Sequence, residues 1–166
     1  DCAEDVNYVK PTMRHLKGMK TASPDTMLAM QKELVTNAQE ITSESGTVNK
    51  ININDPLNEL LVKTALHLGV LKGERTDYCL DFDHQFIPTE KYDTTYSYKK
   101  ERGYFPGVAS IENTPVYIEN RNGNCQVKFN QIDTIKRVFG VLKNNGVKPA
   151  RCSMDCGSYL KEVCDY

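Results

Sequence analysis

Leu80-Asp81-Phe82-Asp83-His84-Gln85 is the stretch on which the reading of this chain turns. Side chains alternate across a strand, so Leu80 and Phe82 take one face and both carboxylates take the other. Two acids side by side on a sheet are costly to shelter without a cation. Around this stretch, Tyr78 to Ile87, Gly107 to Ile111 and Val116 to Glu119 read as extended runs, with Asn113-Thr114-Pro115 as the last turn. They predict a three-stranded antiparallel meander. The tyrosine- and cation-bearing segment from Lys91 to Arg102 is expected to be a long loop or flared hairpin. Gln131 to Lys143 has Ile132, Ile135, Val138, Phe139 and Leu142 at helical spacing and ends at Asn144-Asn145-Gly146. Ala150 to Met154 then predicts a fourth strand running into Asp155, and Ser158 to Cys164 the start of another helix.

A strand that returns through one helix comes back parallel. The fourth strand is therefore expected beside the first, which makes Asp155 a neighbour of the acids at 81 and 83. In open sheets, ligands collect at such carboxyl ends. The expected class is α/β (α+β): a mixed sheet with a meander, a helix and a parallel strand over residues 77–166. An N-terminal helical region is expected over 1–76. Ser23-Pro24-Asp25-Thr26 opens a helix to about Gln39 by an N-cap serine and a first-turn proline. Asp55-Pro56 opens a second with an apolar stripe up to Gly69, and the polar stretch from Thr42 to Asn54 joins the two.

Composition narrows the function classes. Lys plus Arg number 21 against 22 Asp plus Glu, so any nucleic-acid contact must come from local patches rather than a basic excess. No apolar run reaches the roughly 20 residues that span a bilayer. Of the cysteines at 2, 79, 125, 152, 156 and 164, Cys152 and Cys156 lack the partner histidines or paired thiols of a zinc site. With no leader-like segment, the cysteines read as reduced thiols of a cytoplasmic protein. His15 and His67 read as structural or exposed.

Carboxylates converging from two strands make a hard-oxygen site suited to Mg²⁺ or Mn²⁺. Two such ions about 4 Å apart serve in-line substitution at a phosphodiester. On its own, a strand-end Asp-x-Asp is more often a solvated turn or local cap. Lys99, Lys100 and Arg102 beside Tyr96, Tyr98 and Tyr104 suit phosphates and bases, although a cationic solvent-exposed hairpin accounts for them better. Arg121 with Gly123 and Asn124 suits a DNA backbone, although Asn-Gly is first a turn signal.

Several blocks in order resemble one family. They are Asp81-Phe82-Asp83-His84-Gln85, Glu90-Lys91-Tyr92-Asp93, Tyr98-Lys99-Lys100, Gly103 to Val108, Tyr117 to Asn124, and Arg151 to Tyr159. Together they are similar to the DDE domain of a group of bacterial insertion-sequence transposases. The resemblance runs from about Asp77 to the end, with the helix after Ser23 similar to the family's upstream region. It implies an RNase H-like fold and metal-dependent DNA cleavage and strand transfer with two Mg²⁺ or Mn²⁺ ions. It further implies DNA as partner and Asp83 as the first catalytic, metal-binding acid, with Asp81 as alternate and Asp155 as the second. The family's third acid, a later glutamate, has no counterpart up to Tyr166, so the chain is expected to be an incomplete fold that self-associates. Two other readings stand beside this one: a non-catalytic relic with residual DNA affinity, and an Asp-x-Asp phosphatase using Asp81 as nucleophile.

Overall fold

The computed structural model describes residues 23–166. These belong to two compact units, one ending at Val35 and the other covering Thr36–Tyr166. In the first, helix α1 (Pro24–Glu33) begins as expected, with Ser23 Oγ accepting the Thr26 amide at 3.2 Å. It stops short of Gln39. None of its residues is buried, and a short helix without tertiary packing has little to sustain it.

The second unit contains β1 (Gln39–Thr42), β2 (Val48–Ile53), α2 (Asp55–His67), β3 (Cys79–His84), β4 (Ile87–Pro88), β5 (Thr95–Tyr96), β6 (Arg102–Tyr104), β7 (Gly107–Ile111), β8 (Thr114–Arg121), α3 (Gln131–Asn144), β9 (Arg151–Met154), a 3₁₀ turn (Cys156–Ser158) and α4 (Lys161–Cys164). Six strands form one mixed sheet in the order β1-β2-β8-β7-β3-β9, and β4, β6 and β5 form a second, small one. The class is mixed α/β, and β3, β7 and β8 are the expected meander. Its tight turn puts Glu112 and Asn113 in the left-handed region (φ 49° and 65°), the backbone that a two-residue hairpin requires.

Two expectations give way. The stretch expected as a polar joint holds the β1–β2 hairpin, and β2 pairs antiparallel with β8. Residues 1–76 are therefore not a purely helical region, and those from Thr36 onward belong to the unit that contains the sheet. The first strand ends at His84 rather than Ile87 because Ile87 and Pro88 cross into the small sheet, where β4 and β5 flank β6. Of the two forms expected for Lys91 to Arg102, the flared hairpin is the one seen, with β5 antiparallel to β6.

The core lies where α2 and α3 meet the sheet. Val62 and Ala65 of α2 and Ile135, Val138 and Leu142 of α3 pack with Leu80, Phe82, Ala109, Ile111 and Tyr117. Asn54 begins α2 by accepting the Leu57 amide at 3.0 Å. Asn58, fully buried, brackets one residue of β8, taking the Ile118 amide at 2.8 Å and giving to the Ile118 carbonyl at 3.1 Å. Among the described residues no helix is long and apolar enough to cross a membrane.

Candidate carboxylate site and adjoining cleft

β3 alternates buried Leu80 and Phe82 with exposed Asp81 and Asp83. β9 lies parallel to it, with Leu80 opposite Cys152, Asp81 opposite Ser153 and Phe82 opposite Met154. Continuing that register by one residue sets Asp83 opposite Asp155. The backbone of Asp155 is still extended (φ −71°, ψ 170°), so it prolongs the strand before the chain turns. Neighbouring strands run about 4.8 Å apart, and residues paired across them share a face. The backbones of Asp83 and Asp155 are therefore neighbours at the carboxyl ends of two parallel strands, while the Asp155 side chain lines the His84 cleft, to which Asp83 does not contribute. Asp81 has Ser153 opposite it and no acid.

Local hydrogen bonds orient both carboxylates. Asp83 Oδ1 accepts the His84 amide at 2.7 Å. Asp155 Oδ1 accepts the Ser158 amide at 3.2 Å and lies 3.4 Å from the Ser158 hydroxyl. Ser158 is buried, and its hydroxyl also receives Gln131 Nε2 at 3.2 Å, which ties Asp155 to the first residue of α3. Gly157 makes room for this: a Cβ there would stand 3.2 Å and 3.3 Å from the two oxygens of Asp155.

Among the described residues no three His, Cys, Asp or Glu side chains converge as a metal-binding group. A pair of carboxylates nevertheless suits Mg²⁺, which keeps several waters and is commonly held by one or two carboxylates together with substrate phosphate oxygens.

Asp155 also lines a cleft of ≈ 750 Å³ shared with His84, the 96–99 turn and the 123–127 turn. His84 is wedged between Phe82 and Phe105, with ring centroids at 5.1 Å and 5.4 Å. Burial and the nearby Arg121 charge push its pKa down to about 4, against the opposing pull of Asp83, Glu119 and Asp155. The ring is neutral near pH 7.

The candidate DNA-contacting residues separate. Lys99 and Lys100 are exposed. Arg102 is spent on the chain itself, its Nη2 donating to the Thr94 carbonyl at 2.8 Å. Tyr104 donates its hydroxyl to Asp93 at 2.6 Å. Asn124 is tied into the turn: its Oδ1 accepts from Thr95 Oγ1 at 3.2 Å and from Asn122, and its Nδ2 donates to the Val48 carbonyl. Arg121 is a clear correction, because it is fully buried and cannot reach a DNA backbone.

Arg121 instead belongs to a buried ionic cluster between β8 and α3 that the sequence reading missed. Glu119, also fully buried, takes Arg121 Nε and Nη2 at 3.2 Å and 3.1 Å and Thr134 Oγ1 at 3.0 Å on one oxygen. Its other oxygen takes Arg137 Nη2 at 2.7 Å and the Tyr117 hydroxyl at 3.1 Å. The clue was present in Tyr117-Ile118-Glu119-Asn120-Arg121: a tyrosine and two opposite charges share one face of a strand. An ionic face resembles a solvated one until partners from α3 are seen to cover it. Cys2 and His15 lie outside the described residues. Cys79, Cys125, Cys152, Cys156 and Cys164 are free thiols. The chain matches no protein-family model, no curated protein and no solved structure.

Proposed function

We propose that this chain carries two carboxylates of a divalent-metal centre that cuts and joins DNA phosphodiesters, in an RNase H-like domain of the DDE transposase kind. One observation carries the reading: β3 and β9 run parallel with Phe82 opposite Met154, so that the same register continued by one residue brings Asp83 opposite Asp155. The order of β8, β7, β3 and β9, a meander with a parallel strand added beside its first member, supports the same fold. A bound Mg²⁺ or Mn²⁺ would supply the positive charge that phosphodiester substitution needs at its attacking and leaving oxygens. Asp83 and Asp155 hold the cation. Asp81, opposite a serine, is the outer neighbour rather than a ligand. The Ser158 amide and hydroxyl fix the rotamer of Asp155, and Gln131 fixes Ser158. Lys99 and Lys100 meet DNA phosphates at the rim of the cleft.

Nicking of supercoiled DNA in Mn²⁺ tests the activity. Expected is cleavage abolished by EDTA, lost in Asp83→Asn and in Asp155→Asn, and retained in Asp81→Asn. Cleavage that survives in both Asp83→Asn and Asp155→Asn overturns the assignment.

A further inference from the structure

The cleft beside Asp155 has a lining that the carboxylate pair does not use. Five of its side chains carry rings, His84, Phe86, Tyr96, Tyr98 and Phe105, and one carries a positive charge, Lys99. Its volume, ≈ 750 Å³, lies in the range of about 300–1,000 Å³ usual for small-molecule sites. Tyr96 and Tyr98 are 65% and 82% exposed, although aromatic side chains contribute most to stability when covered. Cations already sit near both rings, Arg102 at 5.8 Å from Tyr96 and Lys99 at 5.7 Å from Tyr98. His84 adds a ring held between Phe82 and Phe105.

Rings beside a single ammonium group, with a phosphate-handling acid at the end of the slot, match the parts of one nucleotide. Its base would stack on the rings and its phosphate would meet the ammonium. An acidic peptide would bring charge but no flat base to stack on the five rings. A paired base lies stacked within the duplex and presents no free face to such a slot. We infer that this cleft seats one unstacked nucleotide of a single-stranded segment, next to the phosphate presented to Asp83 and Asp155. The stacking chemistry stands by itself, whereas the choice of DNA and the place of its phosphate beside Asp83 and Asp155 rest on the proposed function.

A ten-residue oligonucleotide carrying one 2-aminopurine reads the seating directly. Titration is done in EDTA, so that metal chemistry plays no part. Expected is a fluorescence change with the single strand and none with the same label in a blunt duplex. Tyr98→Ala and Tyr96→Ala should each weaken binding by about tenfold. Lys99→Ala should lower the salt slope by about one. Circular dichroism of the variants separates lost stacking from lost folding. No fluorescence change, equal binding of duplex, or wild-type affinity in a folded Tyr96→Ala/Tyr98→Ala variant overturns the inference. RNA of the same sequence binding more tightly would uphold the nucleotide seat and count against the DNA reading. Absence of nicking in Mn²⁺ with this binding intact would likewise sink the proposed function alone.

Discussion

Glu119 shows how much a single residue can hold. It accepts from two arginines, a threonine and a tyrosine with no solvent exposure, so charge joins β8 to α3 in addition to the apolar packing around Tyr117. Removing one member of such a group leaves a buried charge without its partner, which costs about 3–5 kcal/mol. Glu119→Ala should therefore lower unfolding stability by about that much in urea titration. A change below about 1 kcal/mol would contradict the account. His84 gives a pH dependence. An unfolded histidine takes its proton near pH 6.5, whereas the folded one does so only at about 4. Between those values the unfolded chain binds more protons, so stability rises with pH. The contribution is fully present above about pH 6.5 and is lost as pH falls toward 4. Melting curves at pH 7 and pH 5 should show a smaller drop for His84→Gln than for the wild type. Equal drops would point to other groups.

At the scale of elements, what the sequence disclosed depended on whether local signals and packing agreed. The α3 range was legible because Ile135, Val138 and Leu142 repeat at helical spacing and do face the core. β7 and the fourth strand were legible too, since short apolar runs between turn residues leave few alternatives. β1 and β2 were hidden because an inward position of β2 is the buried Asn49, which breaks the apolar alternation that marks a strand. α1 was overextended for the opposite reason: its apolar positions looked like a packing stripe but none is buried. In the candidate site, the family resemblance singled out Asp83 over Asp81, and strand order made the parallel pairing of β3 with β9 legible. The burial of Arg121 was not, because it depends on α3 folding over β8. Asn58 links α2 to that same strand, and Asn58→Ala breaks both of its hydrogen bonds to Ile118. The expected cost is about 1–3 kcal/mol in chemical denaturation. An unchanged midpoint would mean that the apolar contacts of α2 suffice to hold it.

For the molecule as a whole, the meander, the helical crossover and the parallel strand bring two distant stretches of sequence, one carrying Asp83 and the other leading into Asp155, onto neighbouring strands. The central claim is that these two side chains hold the same cation. Mn²⁺ titration followed by electron paramagnetic resonance, on the wild type, Asp83→Asn, Asp155→Asn and the double variant, measures this directly. A shared ion predicts that each single substitution weakens binding at least about tenfold and that the double variant loses little more, because ligands of one ion are not additive. Losses that simply add, or Mn²⁺ affinity unchanged in either single variant, would contradict a common site.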